Sequence, residues 1–282
     1  MELYRHPPFR TATTEVTICP LGDIQWAGDE EDLAYDSLLE HRDLCLRQPN
    51  PLFVGMGDYI DFASVSNRRA LESAGLYDTA KEIIADASKH LCDDLLNRLL
   101  RETTGKWLGL TQGHHHHPVV VSKRKSPEGH DFTLDSDVYL AKQLKAKYFD
   151  EFGFVRLTWP KGGKLDVVVY HGKSYSVFPW GPLQQMYRLM PGFHADLFLM
   201  GHQTKKAAAE IDRITFPEHG ADLHHMTIKM VGTGGWMKGY INGVPTYVSR
   251  LALTPVALGQ PIIHIRPQFR SGLWDPRLTV EM

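Results

Sequence analysis

The chain has little of what marks a secreted or membrane-spanning protein. Its 282 residues include only three cysteines, an odd number at scattered positions, which gives no disulfide framework. The N-terminal residues form no apolar signal region, and no apolar run has the length that a bilayer span requires. We therefore expect a cytoplasmic protein with no membrane partner, in which the thiols of Cys19 and Cys92 are buried and inert.

An excess of either charge sign is also lacking. The formal net charge is -2 and the pI is near 6.7, so the overall charge gives no sign of a nucleic-acid binder and leaves open only a local basic patch. The one basic run, at residues 123–125, is interpreted as a solvated loop. Internal repeats and low-complexity linkers are absent as well, which predicts one domain over residues 1–282 with a helical insertion at about residues 62–106.

Histidine is the residue type in excess, with 15 copies, four of them consecutive at positions 114–117. Five short runs typical of β-strands each end in a glycine beside an Asp or a His. Glycine permits a sharp turn directly after a strand, and the strand ends of open α/β sheets are where ligand sites form. The runs are Glu15–Leu21, Pro51–Val54, Trp107–Leu110, Leu165–Tyr170 and Leu197–Met200, followed by Asp23, Asp58, His114, His171 and His202.

Apolar spacing between and after these runs predicts the remaining elements. Helical periodicity covers Leu33–Leu46, Ile83–Leu99 and Val138–Phe149. Phe154–Trp159 and Leu165–Tyr170 read as a β-hairpin, and the last third of the chain contains three further strand-like runs. These are Met226–Val231, Thr246–Val248 and Pro261–Ile265. The order of elements predicts an α/β fold of two packed sheets with helices outside.

A convergence of Asp and His side chains is typical of a metal site. The order of the five motifs resembles the calcineurin-like metallophosphoesterase family, whose pattern is Asp-x-His, Gly-Asp-x-x-Asp, Gly-Asn-His, His-Gly and Gly-His-x-His. The matching segments cover roughly residues 15–205 and are Gly22–Gln25, Gly57–Asp61, Gly113–His115, His171–Gly172 and Gly201–Thr204. The resemblance implies a four-layer α-β-β-α sandwich of two mixed β-sheets with flanking helices.

The resemblance also implies a set of metal ligands. One divalent ion would be held by Asp58, His114, His171 and His202, where His114 replaces the family's Asn. The other ion would be held by Asp58 together with the positions of Asp23, Gln25 and Thr204. Gln25 and Thr204 stand where the family has imidazoles, so this second set should be weak, selective for hard ions, or empty. The cofactors expected are one or two divalent transition metal ions, Mn, Zn, Fe or Ni.

The activity implied is metal-dependent hydrolysis of phosphate esters. His115 matches the histidine that protonates the leaving group, and Asp61 matches the carboxylate that orients it. Asp61 could instead cap a helix, Gln25 could be a bystander, and His116 and His117 are read as structural. A phosphodiesterase acting on nucleotides or nucleic acid is preferred. The alternatives are a phosphomonoesterase, a protein phosphatase and a degenerate, non-catalytic metal-binding member.

Overall fold

The computed structural model describes residues 2–31, 33–61, 75, 77–125, 131–173, 175–215, 224–244, 246–250, 252–270 and 273–282. Its strands are β1 Leu3–Arg5, β2 Val16–Leu21, β3 Pro51–Gly55, β4 Trp107–Thr111, β5 Pro118–Lys125, β6 Asp131–Asp135, β7 Lys147–Asp150, β8 Phe152–Trp159, β9 Gly163–Tyr170, β10 Leu197–Met200, β11 Lys206–Thr215, β12 His224–Thr233, β13 Ile262–Arg266, β14 Phe269–Arg270, β15 Leu273–Trp274 and β16 Arg277–Glu281. Its α-helices are α1 Tyr35–Leu46, α2 Asp78–Leu95, α3 Ser136–Gln143, α4 Gly181–Leu189 and α5 Tyr247–Arg250.

Two six-stranded mixed sheets form the centre of the fold. The first has the order β16-β13-β2-β3-β4-β7, in which β2, β3, β4 and β7 are parallel and β13 and β16 are antiparallel to their neighbours. The second has the order β1-β8-β9-β10-β12-β11, with β9, β10 and β12 parallel and the hairpin partners β8 and β11 antiparallel. The predicted ligand motifs follow the carboxyl ends of parallel strands, β2, β3 and β4 in the first sheet and β9 and β10 in the second.

Alternating side chains of the strands separate three apolar layers. On β10, Leu197 and Leu199 face the cluster between the two sheets, whereas Phe198 and Met200 face a cluster on the outer side with helix α4. On β3, Val54 belongs to the inner cluster. Its neighbour Phe53 belongs to the cluster that also contains residues of helices α1, α2 and α3. Because successive residues of a strand point to opposite faces, this alternation builds a four-layer α-β-β-α sandwich, as predicted.

All three predicted helices are found, one of them shortened, and two further helices, α4 and α5, were not predicted. Helices α1 and α2 agree with the periodicity of Leu33–Leu46 and Ile83–Leu99. Helix α2 continues through a π-helical turn, Leu96–Leu100, and a 3₁₀ turn, Arg101–Thr103, so the described part of the predicted insertion is helical. Residues 62–74 and 76 of that insertion lie outside the described residues. None of the described helices combines the length and apolar character that a bilayer span requires.

Three local predictions were wrong. The helix predicted over Val138–Phe149 ends at Gln143, because Lys145 adopts φ 56° and Ala146 N donates to Ala141 O, which terminates the helix. The residues that follow form strand β7 on the edge of the first sheet. The basic run at 123–125 is the end of strand β5 and not a loop.

The strand predicted over Thr246–Val248 is a short helix, Tyr247–Arg250. The hydroxyl of Thr246 accepts a hydrogen bond from Ser249 N at 3.1 Å, which is the contact of a helix N-cap. The β-branched residues Thr246 and Val248 made this segment look extended, but the cap contact with Ser249 determines its conformation.

Candidate metal centre

The five predicted ligand-bearing turns meet at one edge of the sandwich. Asp23, Asp58 and His114 follow β2, β3 and β4 of the first sheet, and His171 and His202 follow β9 and β10 of the second. The carboxyl ends of neighbouring parallel strands share an edge, and the two sheets are packed face to face. These turns therefore approach one another although they are far apart in the sequence.

Four of the side chains form a compact cluster. One ligand atom from each of Asp58, His114, His171 and His202 lies within 4.8 Å of all the others. The Nδ1 atoms of His114 and His202 are 3.1 Å apart, and His171 Nε2 is 3.1 Å from Asp58 Oδ2. Two nitrogen ligands at about 2.0–2.1 Å from one tetrahedral ion would be roughly 3.4 Å apart, so this spacing fits a shared ion.

One buried polar atom supports the same interpretation. Asp23 Oδ1 is buried and has no hydrogen-bond partner among the described residues. A buried polar atom without a partner is costly unless something absent from the protein chain satisfies it. His171 Nε2 is also buried and contacts Asp58 Oδ2 at 3.1 Å, so both atoms would be ligands of an ion at the cluster. Three imidazoles and one carboxylate suit borderline divalent ions of the zinc, manganese, iron and nickel group.

The loops are shaped to bring these ligands together. A side chain at Gly113 would overlap the backbone nitrogen and carboxylate of Asp58, so only glycine permits this approach. The same carboxylate accepts hydrogen bonds from His114 N and His115 N through Oδ1. His171 Nδ1 lies 2.6 Å from Met56 O and donates to it, which leaves Nε2 for an ion.

The backbone at the centre is held in an unfavourable conformation. Ten non-glycine residues of the described chain have a left-handed φ, and five belong to these turns. They are Asp23 (46°), Gln25 (52°), Asp58 (51°), His202 (64°) and Thr204 (52°). Such residues persist only where the surroundings impose the conformation, and they concentrate at functional sites. This concentration is independent evidence that the edge is a site.

Electrostatics divide the cluster into charged and neutral groups. Burial lowers the pKa of His171, but the carboxylates of Asp58 and Asp23 outweigh it and raise the pKa to about 9. Burial and the charge of His171 lower the pKa values of His114 and His202 to about 4. Burial alone would raise the pKa of Asp58, yet His171 and His115 hold it well below its usual value. The metal-free cluster therefore contains a His171–Asp58 ion pair beside two neutral imidazoles.

The residues expected to hold a further ion are arranged differently. Asp23 is buried, its Oδ2 accepts a hydrogen bond from His202 N at 3.0 Å, and it lies outside the cluster of four. Burial raises the pKa of this carboxyl to about 7. Gln25 is linked to the centre through its backbone, since Gln25 N donates to Asp58 O at 2.9 Å. Gly235, in the turn after β12, packs close to Thr204 and Asp23.

The predicted acid and its partner are in contact. His115 Nδ1 is 3.0 Å from Asp61 Oδ1, and His115 Nε2 is 3.9 Å from Asp58 Oδ2. The ring is half-buried, with Nε2 directed to the metal-binding side and Nδ1 to the carboxylate. The neighbouring ring of His116 contacts Gly113 O through Nδ1 at 3.0 Å, and His117 is buried.

Comparison with known proteins gives matches among solved structures. No protein-family model and no curated protein matches this chain. It is similar to the structure of vacuolar protein sorting 29 from Cryptosporidium parvum, with 14% identity, a TM-score of 0.37 and coverage of 95% of this chain and 98% of that chain. It is also similar to a single-mutant form of Vps29 from Entamoeba histolytica, with 10% identity, a TM-score of 0.35 and coverage of 95% and 99%. Likeness of this degree carries no argument about activity.

Sequence reasoning missed the residues that support the ligand loops. Asp137, at the start of helix α3, is buried, and its Oδ2 accepts a hydrogen bond from Gly113 N at 2.8 Å. Ser136 Oγ accepts from His117 N and donates to Asp137 Oδ1. An acidic residue in the first turn of a predicted helix is common, and nothing in the local pattern connected Asp137 with the histidine run.

Proposed function

We propose that the chain is a member of the calcineurin-like metallophosphoesterase family and a metal-dependent hydrolase of phosphate esters. The observation that carries the proposal is the convergence of Asp58, His114, His171 and His202 with His115 beside them. These four side chains would hold one divalent ion. Such an ion polarises a phosphoryl oxygen and acidifies water near neutral pH.

The residues of the chain would supply the rest of the reaction. Asp61 accepts from His115 Nδ1 and so fixes the tautomer and direction of the ring. His115 Nε2 is then the atom placed to give a proton to the leaving oxygen of the ester. Asp58 accepts hydrogen bonds from the backbone of His114 and His115, so the ligand and the acid keep a fixed spacing.

The test is hydrolysis of bis(p-nitrophenyl) phosphate by protein stripped with EDTA and reloaded with Mn²⁺, Zn²⁺, Ni²⁺ or Fe²⁺. We expect metal-dependent turnover, and a loss of roughly 10²- to 10⁴-fold in kcat for His115→Ala. Metal content measured by elemental analysis should stay that of the wild type in this variant. The matched control is His225→Ala, which removes an exposed imidazole from β12. Equal turnover in both variants would refute the role of His115.

We propose a phosphodiester as the substrate class, in a nucleotide or nucleic acid. The choice of a diester rests on the resemblance to the metallophosphoesterase family. That family also includes phosphomonoesterases and protein phosphatases. Parallel assays with p-nitrophenyl phosphate and with bis(p-nitrophenyl) phosphate separate the classes. Faster turnover of the monoester at equal metal loading would reject the diester assignment.

A second candidate function follows from the positions expected to hold the other ion. Gln25 and Thr204 stand at positions where the family has imidazoles, which favours a protein that binds one ion without hydrolysing esters. Such a protein would bind one equivalent of metal at Asp58 and give no turnover with any of the four ions. Turnover that His115→Ala abolishes would exclude this candidate.

A further inference from the structure

Exposed aromatic side chains gather in the segment that follows the ligand-bearing turn of His171. Within six residues of the chain, Tyr175, Val177, Phe178 and Trp180 are 48%, 63%, 53% and 56% exposed. They follow the metal-ligand candidate His171, and the first of them, Tyr175, is four residues after it. Concentrations of exposed apolar surface on a soluble protein mark binding sites. We call Tyr175, Phe178 and Trp180 the aromatic platform.

The platform is held in place despite its exposure. The rings of Phe178 and Trp180 stack with centroids 5.1 Å apart and an interplanar angle of 12°. Phe178 N donates to Ser176 Oγ at 3.3 Å, and Gly181 N donates to Phe178 O at 3.1 Å. Aromatic rings with few rotatable bonds and a fixed backbone lose little entropy when a ligand stacks on them.

Both ends of the platform are joined to residues that adjoin metal ligands. Gly181 packs so closely against Ser176 and the buried side chain of Gln203 that a Cβ there would overlap both. Gln203 follows His202 directly in the chain. Lys205 Nζ donates to Ser176 O and lies 4.4 Å from the centroid of the Tyr175 ring. The platform is thus fixed to the turn that carries His202 as well as to the turn that carries His171.

Positive charge accompanies the rings. Lys173 is exposed and lies two residues after His171 in the chain. Its contact with Glu151 at 3.9 Å joins two exposed side chains and so competes weakly with a ligand. Stacked rings with flanking cations are the combination that binds single-stranded nucleic acid, because every base has a flat π-face and every linkage a negative charge.

We propose that the aromatic platform stacks on a nucleobase adjoining the phosphodiester at the metal centre, so that the substrate is a single-stranded oligonucleotide or a dinucleotide. The inference rests on the proposed hydrolase for its place in catalysis but not for binding. Lys173 would contact the next phosphate along the strand. A protein partner is the rival occupant, and it would use the same exposed rings without any requirement for a base.

The first test is equilibrium binding, which needs no turnover. Metal-loaded protein is titrated against fluorescently labelled oligothymidylate and against an abasic oligomer of the same length. For Trp180→Ala and Phe178→Ala we expect the affinity for oligothymidylate to fall roughly 5- to 150-fold, the range of one lost base stack. Affinity for the abasic oligomer should change less than about twofold. Trp180→Phe should restore most of the binding, because it keeps a stacking surface.

The matched control is Tyr77→Ala, which removes a ring that is 87% exposed outside the platform. It should bind both oligomers like the wild type. Two results would overturn base stacking on the platform: wild-type affinity of Trp180→Ala for oligothymidylate, or an equal loss of affinity for both oligomers. Either result would favour a protein partner as the ligand of the exposed rings.

Kinetics form the second test. With a thymidine dinucleotide, the platform variants should raise KM while kcat and metal content remain near the wild-type values. Loss of kcat with unchanged KM would contradict the proposal. If the chain binds oligothymidylate through Trp180 but hydrolyses no ester, the platform is supported and the proposed hydrolase is refuted. Failure of the platform and failure of the hydrolase therefore give different results.

Discussion

Replacing Asp137 by asparagine should make the stability of the metal-free protein less dependent on pH. Burial raises the pKa of this carboxyl from 3.8 to about 6, in spite of the hydrogen bond from Gly113 N. The native state therefore binds the proton more tightly than the unfolded chain does. The resulting contribution to stability is fully present below pH 3.8 and is lost as the pH rises through 6. The whole loss is roughly 3 kcal/mol, because each pH unit between the two pKa values is worth about 1.36 kcal/mol.

Urea unfolding of EDTA-treated protein measures this effect. Over the range from about pH 4 to about pH 8, the wild type should lose roughly 2.4 kcal/mol of unfolding free energy relative to Asp137→Asn, since the first part of the loss falls below pH 4. Asp23 and His171 titrate in both proteins and cancel in the difference. A difference that stays constant with pH would refute the reasoning, because it would mean that burial does not perturb this carboxyl.

Asp137→Ala is the companion variant and acts by another route. It leaves Gly113 N–H buried without an acceptor, which should cost about 1–3 kcal/mol at every pH. The asparagine of the other variant keeps an acceptor oxygen for Gly113 N–H. The metal affinity of Asp137→Asn should therefore stay closer to that of the wild type than the metal affinity of Asp137→Ala. Equal metal affinity in the alanine and asparagine variants would show that Asp137 does not position the ligand loop.

Three further predictions concern the centre itself. Metal binding at a pH below 9 should release about one proton from His171, because the pKa of this residue is raised to about 9. The metal affinity should therefore increase with pH, and calorimetry in buffers of different ionisation enthalpy counts the protons released. Asp58→Ala should remove most of the bound metal, and elemental analysis showing unchanged metal would contradict the ligand assignment. Gln25→His combined with Thr204→His should raise the number of ions bound per chain, and unchanged stoichiometry would count against the alignment of these two positions.

The ligand-bearing turns could be predicted because each is encoded locally. A β-type run, a glycine and an Asp or His occur within a few residues, as in Leu197–Met200 followed by Gly201 and His202. Two packed sheets with outer helices could be predicted from the order of strand-like and helical patterns, and the four layers from the resemblance to the metallophosphoesterase family. The 3.1 Å spacing of the His114 and His202 nitrogens depends on how the two sheets pack, which no local pattern contains.

Other features depend on partners distant in the sequence. Asp137 supports Gly113 across a separation of 24 residues, and helix α3 by itself gives no sign of it. The helical reading of Val138–Phe149 failed because its last residues pair with β4, and this edge pairing outweighs a periodic apolar pattern. The aromatic segment at Tyr175–Trp180 was not predicted as part of the site, because the sequence does not show its contacts with Gln203 and Lys205.

The left-handed backbone of Asp23, Gln25, Asp58, His202 and Thr204 would give the proposed ion a second role, in the stability of the fold. At about 1 kcal/mol for each residue, these turns together oppose folding by roughly 5 kcal/mol, which is comparable with the net stability of a whole domain. An ion that binds only the folded chain offsets this opposition by mass action. If the cluster binds an ion in this way, the resistance of the chain to proteases should increase with the free concentration of that ion.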